Sequence, residues 1–254
     1  MQDAESKHPV CGDNYARTLM NAHGLSVFER FKTEKNANAS NVARHRIIDD
    51  ILRQELQLNP ALCVIIVGAG FDSRAWRLTG GVWVELDEPQ VIDYKEERLP
   101  AAGCPNPLTR IVINFAHESL IKKLAPFAQH GPVVVVIEGV FMYLEQEQIT
   151  ATLRALRTVL PAHVLLCDLM SRKFFEKYAR NTHRRIMSLG TRFRITADDP
   201  EAVFLANGYT RVEKISAAET AVQFGTIKIP RWLLVTFLRT LAGGYAIYRF
   251  ASSQ

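Results

Sequence analysis

Short apolar runs alternate with amphipathic stretches along most of the chain. The runs at residues 62–67 and 132–137 are continuous and rich in β-branched side chains, a pattern typical of strands buried on both faces of a parallel sheet. Continuous or alternating apolar patterns predict further strands at residues 82–86, 109–113, 163–167, 209–215 and 245–250. The chain is therefore expected to form one mostly parallel sheet of seven strands.

Helical periodicity fills the segments between these strands. Residues 42–58 carry apolar side chains at helical spacing, and either Ser40 or Asn41 could cap that helix at its start. Similar patterns predict helices over residues 90–99, 117–129, 145–160, 200–207 and 231–241. Alternating strands and helices favour right-handed βαβ units, which predicts an α/β fold with a doubly wound sheet.

Two segments lie outside this alternation. Residues 1–60 are expected to be helical, and residues 171–196 form a long basic stretch with a helical pattern. We interpret the second segment as a lid inserted over the strand ends. Because no stretch rich in proline, glycine and serine divides the chain, the prediction is a single domain over residues 1–254.

Composition and charge exclude several classes of protein. The chain is 48% hydrophobic and 22% charged, which is ordinary for a globular domain. A net charge of +5 is too small to indicate a nucleic-acid partner. The four cysteines are not spaced like the ligands of a metal site or the pair of a redox motif, so we expect no bound metal. We also expect a reducing, cytoplasmic setting. No apolar stretch is long enough for a membrane helix, and nothing in the sequence predicts the oligomeric state.

Two glycines directly follow the strand predicted at residues 62–67. Gly68 and Gly70 permit a sharp turn and let a ligand approach the main chain, and the following helix would present free N–H groups. A tight turn that binds no ligand has the same pattern. The glycines therefore indicate a binding site only in combination with other residues.

The next predicted strand ends with two acids. Asp87, nearer the strand end, is the expected partner of two ribose hydroxyls, and Glu85 could support it from the same side. Both NAD(P) and S-adenosylmethionine suit such a site. Ser73 replaces the third glycine of the dinucleotide fingerprint, and Asp72 would repel a pyrophosphate. The cationic sulfonium of S-adenosylmethionine suits nearby acids better, so this cofactor is favoured.

Three sequence blocks resemble the leucine carboxyl methyltransferase family, and within it the bacterial O-methyltransferases of polyketide biosynthesis. The blocks are residues 67–78 (VGAGFDSRAWRL), residues 84–89 (VELDEP) followed by Lys95, and residues 137–144 (IEGVFMYL). The resemblance extends over nearly the whole chain and is weakest over residues 171–228. It implies a Rossmann-like class I methyltransferase fold that uses S-adenosylmethionine, with an antiparallel strand near the end of the sheet.

The resemblance also implies roles in cofactor binding. Arg44 would pair with the methionyl carboxylate through its guanidinium fork, although Arg46 is close enough to remain an alternative from the sequence alone. Gly68 and Gly70 would lie along the methionine portion of the cofactor. Asp87 would bind the ribose.

Further implied contacts follow the third and fourth predicted strands. Asn114 and Phe115 stand where the family often has Asp-Leu, and they would contact the adenine amino group. Glu138 would lie near the methionine amino group or the sulfonium. Tyr143 and His183 are the candidate catalytic residues, the tyrosine through contact with cofactor or acceptor and the histidine as a base. Tyr143 fits an ordinary packing role equally well.

The expected reaction is methyl transfer to a carboxylate or hydroxyl oxygen of a small molecule, such as a secondary metabolite. A carboxylate acceptor needs no base, whereas a hydroxyl would benefit from one. The basic residues of the lid could bind an acidic acceptor or form a solvated helix face. The alternatives are methylation of a protein's C-terminal carboxyl group, an NAD(P) oxidoreductase, and a cofactor-binding scaffold without turnover.

Overall fold

Seven strands form a single twisted sheet at the centre of the molecule. The computed structural model describes residues 2–252. Its strands are Cys63–Val67 (β1), Val82–Asp87 (β2), Leu108–Val112 (β3), Val133–Ile137 (β4), His163–Met170 (β5), Tyr209–Ser216 (β6) and Tyr245–Ser252 (β7). Their order across the sheet is β3-β2-β1-β4-β5-β7-β6. Strand β7 pairs antiparallel with both neighbours, and the other pairs are parallel.

The order of the strands decides which residues meet at the carboxyl edge of the sheet. Strand β1 lies between β2 and β4, and its register pairs Val67 with Leu86 and Ile66 with Val136. The residues that end or follow these three strands therefore emerge side by side. In open parallel sheets, ligands bind at this edge where the strand order reverses.

Helices cover both faces of the sheet. They are Ala22–Phe31 (α1), Lys35–Leu58 (α2), Arg74–Arg77 (α3), Pro89–Arg98 (α4), Leu120–Leu124 (α5), Gln146–Val159 (α6), Arg172–Phe174 (α7), Arg180–Met187 (α8), Ala202–Ala206 (α9), Ala217–Gln223 (α10), Arg231–Thr236 (α11) and Arg239–Gly243 (α12). Side chains of β1 alternate between two buried clusters, one shared with α2 and the other with α6. The predicted doubly wound, mostly parallel seven-stranded sheet is confirmed.

Several predicted helix boundaries were wrong. Helix α2 begins at Lys35, so Ser40 and Asn41 lie inside it and cap nothing. The helix expected over residues 117–129 is reduced to α5 and a 3-10 turn, Ala125–Phe127. The helix after the glycine turn, α3, has only four residues. It therefore presents few of the free N–H groups that the motif predicted.

The carboxyl-terminal half also differs from the predicted pattern. Residues 231–241 form two short helices, α11 and α12, and the sequence pattern gave no indication of α10. The lid segment is helical only through α7, a π-helical turn at Phe175–Ala179, and α8. Residues 191–197 are not helical, although the basic pattern continues through them. Among residues 2–252, no helix has the length and apolar character needed to cross a membrane.

Candidate functional site

The glycine turn after β1 brings the main chain against β2 and β4. The amides of Gly68 and Ala69 both donate to the carbonyl of Leu86. Gly68 has φ +71°, and a Cβ there would lie 2.6 Å from the Val140 side chain. Gly70 has φ +47°, and no described atom lies within 4 Å of the place where its Cβ would be. The turn therefore requires glycine at both positions and leaves an open cradle beside Gly70.

Asp87 lies beside this cradle at the end of β2. One carboxylate oxygen accepts the amide of Gly70 at 2.6 Å, and the other accepts the amide of Glu88 at 2.7 Å. The residue is 8% exposed. Because a carboxylate offers about four lone-pair positions and these bonds occupy two, Asp87 keeps the capacity to accept two further hydrogen bonds.

Glu85, the second acid of β2, has a structural role. Its carboxylate lies 2.9 Å from Nζ of Lys95 and 3.0 Å from Nε of Arg110, and all three side chains are nearly inaccessible to solvent. Burial raises the pKa of Glu85, and Lys95 partly offsets the effect. The alternation along β2 predicted that Glu85 and Asp87 share one side of the strand, so that Glu85 could support the site. The carboxylate of Glu85 is instead engaged by Lys95 and Arg110.

Glu138, which follows β4, lies between two arginines. Its carboxylate accepts from Nε of Arg44 at 2.8 Å and lies 2.7 Å from Nη1 of Arg74. Burial alone would raise the pKa of this carboxyl, but Arg74, Arg44 and His45 hold it well below its usual range. Glu138 is therefore ionised at neutral pH. It lies two residues before Val140, the residue that packs against Gly68.

The structure distinguishes Arg44 from Arg46. Arg46 turns outward, where it pairs with Asp50 at 2.8 Å and donates to the carbonyl of Val10. Arg44 reaches the strand tips and donates to Glu138 and to the hydroxyl of Tyr245 at 2.8 Å. Burial would lower the pKa of Arg44, but its partners hold that pKa well above the usual value. Arg44 is thus a fixed cation at the site.

Two further residues complete this cluster, and sequence reasoning did not find them. Asp168 lies on β5 and is almost fully buried, and its carboxylate accepts the Gly139 amide at 2.6 Å. The same carboxylate accepts the Tyr245 hydroxyl at 2.9 Å and lies 3.3 Å from Arg44. The sequence feature that could have indicated Asp168 is its position as an acid within the apolar run of residues 164–170. An acid buried in such a run requires partners.

A layer of charges behind the cluster holds the arginines in place. Asp49 of α2 accepts from Arg74 at 2.7 Å and from Arg77 at 2.6 Å. The side chains of His45, Asp72 and Glu138 come close enough to one another to suggest a cation site. The Arg74 guanidinium contacts all three of these residues, so a protein cation already occupies that position.

Asn114 and Phe115 follow β3 at the same edge of the sheet. The Asn114 side-chain oxygen accepts the amide of Ala116 at 3.0 Å, and the Phe115 amide donates to Glu88 at 3.1 Å. Phe115 is 44% exposed and Phe71, after the glycine turn, is 53% exposed. Each exposed ring offers an apolar face on which a nucleobase could stack. The predicted contact of Asn114 and Phe115 with adenine stays a prediction.

A cavity of about 570 Å³ adjoins the charged cluster at Arg44 and Tyr245. Its walls come from the first turns of α2, the lid helices α7 and α8 with the turn between them, and the segment from Ile227 to α12. Most of the lining is apolar or aromatic, including Met142, Met170, Phe174, Phe193 and Leu241. The volume lies within the roughly 300–1,000 Å³ typical of small-molecule sites.

Tyr143 and His183 occupy different surroundings. Tyr143 lines the cavity and packs against Phe193, and burial raises the pKa of its hydroxyl. His183 packs between Phe175 and Phe193, and its Nδ1 accepts the Phe193 amide at 3.2 Å. This bond places the proton of the neutral ring on Nε2. His183 is not among the described residues that line the cavity. This placement does not favour its predicted role as a base for the acceptor.

None of the lid's basic residues belongs to the described lining of the cavity. Several are paired with acidic residues: Arg172 pairs with Asp198 at 2.6 Å, Arg194 pairs with Glu145, and Arg185 pairs at 3.2 Å with Glu34, which itself lines the cavity. The basic pattern of the lid therefore belongs largely to its outer surface, as in a solvated helix face.

The chain matches the family model of leucine carboxyl methyltransferases over residues 1–157. It belongs to this family. The family predicted from the three sequence blocks is thereby confirmed, and the match covers the glycine turn, Asp87 and Glu138.

Curated relatives share this part of the chain. An S-adenosyl-L-methionine-dependent methyltransferase of Gibberella zeae, dpfgK, is 26% identical over 164 residues, which cover 60% of this chain and 55% of that protein. A Mycobacterium bovis protein named for the same cofactor and reaction is 33% identical over 160 residues, covering 56% and 53%. The chain spans about half the length of the curated relatives it matches. The names of these relatives give the cofactor that the sequence predicts.

Solved structures show the same fold. The magnesium protoporphyrin IX methyltransferase of Synechocystis PCC 6803, solved with bound S-adenosylhomocysteine, superimposes with a TM-score of 0.54 at 15% identity. A methyltransferase of Anabaena variabilis gives 0.53 at 17% identity, and each comparison covers 92% of this chain and 96% of the other. The class I methyltransferase fold is therefore confirmed for this family member.

Proposed function

We propose that this protein binds S-adenosylmethionine and transfers its methyl group to an oxygen atom of a small molecule. The observation that carries the proposal is the meeting of Gly70, Asp87, Glu138 and Arg44 at adjoining strand tips, next to a cavity. The family membership and the names of the relatives support the same cofactor and reaction.

The residues present fit the proposed cofactor. Asp87 retains acceptor capacity for two ribose hydroxyls, and the open space beside Gly70 admits a ligand where a side chain would block it. Glu138 carries a negative charge suited to the methionine amino group. The second terminal nitrogen of Arg44 lies 3.4 Å from the position that a Cβ on Gly139 would occupy, and it could pair there with the methionyl carboxylate.

S-Adenosylmethionine, when bound, supplies a methyl group on a cationic sulfonium that is a good leaving group. The protein's own contribution is chiefly position, because in-line displacement requires the acceptor oxygen, the methyl carbon and the sulfur to be aligned. Arg44 and Glu138 are fixed by buried partners and would hold the methionine portion. The apolar wall of the cavity excludes water from the reacting atoms.

The cavity supports a small-molecule acceptor, such as a secondary metabolite, over a protein terminus. The lid helices and α2 both contribute walls, and the space has the volume of a small-ligand site. Tyr143 lines this space and would contact the acceptor or the transferred methyl group. Methylation of a protein's C-terminal carboxyl group is the alternative that the family membership keeps open.

Calorimetric titration of the purified chain with S-adenosylmethionine and S-adenosylhomocysteine tests the cofactor assignment. We expect one site for each, and the absence of binding to either would contradict the proposal. Incorporation of a labelled methyl group into a panel of small molecules and of peptides then tests the acceptor. Turnover confined to peptides would replace the small-molecule assignment with the alternative.

A further inference from the structure

We infer that the methyl acceptor is an uncharged, largely apolar molecule that is methylated on a hydroxyl group, and that the cavity disfavours carboxylate acceptors. This inference rests on the proposed function and narrows it. The inference is based on the distribution of charged side chains around the cavity.

Charged side chains are rare in the described lining of the cavity, where only Glu34 and Arg44 are present. Glu34 is engaged by Arg185 at 3.2 Å. Arg44 is engaged by Glu138, Asp168 and Tyr245, and the methionyl carboxylate of the proposed cofactor would take up its remaining terminal nitrogen. A carboxylate acceptor would therefore find no unpaired cationic side chain in the described lining, and its positive neighbour would be the sulfonium of the cofactor.

The side chains near the reacting end of the cavity offer no surplus positive charge to an anion. The negative charges of Glu138 and Asp168 balance the positive charges of Arg44 and Arg74. The basic residues of the lid, which would be the obvious partners of a carboxylate, are absent from the described lining. Transfer of an unpaired carboxylate from water into such surroundings is costly.

Neutral hydrogen-bonding groups are present instead. Thr182 of α8 lines the cavity, as do Ser40 and Asn41 of α2. These neutral side chains can exchange hydrogen bonds with a carbonyl or hydroxyl oxygen of the acceptor.

The reaction on a hydroxyl acceptor balances without a further reagent. A bond forms between the acceptor oxygen and the methyl carbon, and the carbon–sulfur bond breaks with its electron pair remaining on sulfur. The hydroxyl proton passes to water at the rim of the cavity, where Asn36 and Asn181 are exposed. The products are a methyl ether and neutral S-adenosylhomocysteine.

A matched pair of acceptors tests the inference. Protein saturated with S-adenosylhomocysteine is titrated with 2-naphthol and with 2-naphthoate near neutral pH, and methyl transfer to each is measured with the labelled donor. We expect the naphthol to bind at least about ten-fold tighter, a difference of roughly 1.4 kcal/mol, and to be the methylated compound. Equal affinities, a preference for the naphthoate, or no binding of either overturns the inference.

A pair of charge-adding variants tests the cause of the preference. Thr182→Lys places a cation on the cavity wall, and Met187→Lys adds the same charge on the exposed face of the same helix. We expect Thr182→Lys to improve naphthoate affinity relative to naphthol by about ten-fold or more, and Met187→Lys to leave the ratio unchanged. Equal effects of the two variants, or no effect of a folded Thr182→Lys, contradict the inference.

The failure of the inference is distinguishable from failure of the proposed function. Loss of S-adenosylhomocysteine binding by the wild-type chain would remove both. Normal binding of S-adenosylhomocysteine with a carboxylate-selective cavity would remove only the inference. The wild-type titrations decide the matter even where Thr182→Lys does not fold, which its thermal unfolding curve reveals.

Discussion

The strand-tip cluster and the cavity adjoin at Arg44, yet they are built from opposite kinds of contact. In the cluster, Asp168 and Tyr245 are buried, Arg44 and Glu138 are partly buried, and charge-assisted hydrogen bonds join the four residues. In the cavity, most of the wall is apolar, and its polar side chains include the neutral Ser40, Asn41 and Thr182. The cluster is suited to hold one fixed ligand, whereas we propose that the cavity selects its ligand by shape and neutrality.

This difference implies separate consequences for mutations in the two regions. Removing one member of a buried ion network leaves its partners uncompensated, which costs stability as well as binding. We expect a change in the cavity wall away from Arg44 and Tyr245 to alter the preference for an acceptor and to leave the cofactor site intact.

Glu138→Gln should have the largest effect on cofactor binding. The substitution keeps the shape but removes the charge that Arg44 and Arg74 share, and breaking such a buried pair costs roughly 3–5 kcal/mol. We expect S-adenosylhomocysteine to bind at least about 100-fold more weakly by calorimetry. Glu97→Gln, at an exposed position of α4, is the control. Affinities for Glu138→Gln within a few-fold of wild type would remove Glu138 from the site.

Asp49→Asn should reduce stability more than it affects the acceptor preference. Burial would raise the pKa of Asp49, but Arg74 and Arg77 hold it at about 2, below the ordinary 3.8. We expect urea unfolding near neutral pH to show a loss of about 3 kcal/mol. An unchanged unfolding free energy would show that the buried charges behind the cluster do not support it.

The same depressed pKa predicts a pH dependence. A carboxyl with a lower pKa in the folded state contributes stability that is present above its unfolded pKa and lost as the pH falls through the folded one. For Asp49 this window runs from 3.8 down to about 2. Wild type should lose more unfolding free energy than Asp49→Asn over that window, measured by urea titration. Parallel losses would contradict the assignment.

Substitutions of the two acids of β2 should have different effects, one on cofactor affinity and the other on the free energy of unfolding. Asp87→Ala removes the acceptor proposed for the ribose, and hydrogen bonds to charged groups contribute roughly 1.5–3 kcal/mol each. We expect S-adenosylhomocysteine affinity to fall by about ten-fold or more. Glu85→Gln should instead lower the unfolding free energy while affinity stays within about three-fold, because Glu85 is enclosed by Lys95 and Arg110. The reverse pattern would exchange the roles of the two acids.

His183→Gln should have the smallest effect. A general base contributes typically about 10²–10⁴-fold to the rate, but Nδ1 of His183 accepts the Phe193 amide and the ring packs between two phenylalanines. We expect turnover within about three-fold of wild type, measured with whichever acceptor the labelled-methyl assay identifies. A loss of about 100-fold or more, with normal folding, would restore His183 as the base.

The cluster could be predicted from sequence to a large extent because its residues follow strands. Gly68, Asp87 and Glu138 each end or follow an apolar run, and the parallel register of β2, β1 and β4 brings those ends together. Asp168 was not predicted because β5 continues to Met170, beyond the apolar run assigned to it. The choice of Arg44 over Arg46 likewise required the direction of each side chain.

The cavity could not be predicted in the same way. Its walls come from the start of α2, the lid and the segment near α12, and no local pattern relates residues so far apart in the sequence. Ser40 and Asn41 illustrate the difficulty, since their composition suggested a helix cap while the structure places them within a helix that lines the cavity. The basic pattern of the lid described its outer surface and gave no information about its inner one.

A crystal structure of the protein with S-adenosylhomocysteine bound would show whether the strand-tip cluster holds the cofactor beside the cavity. We predict ribose hydroxyls within about 3.2 Å of the Asp87 carboxylate, the methionine portion beside Gly70, Arg44 and Glu138, and the sulfur directed toward the cavity. A nucleoside bound away from Asp87, or a sulfur that faces away from the cavity, would contradict the account.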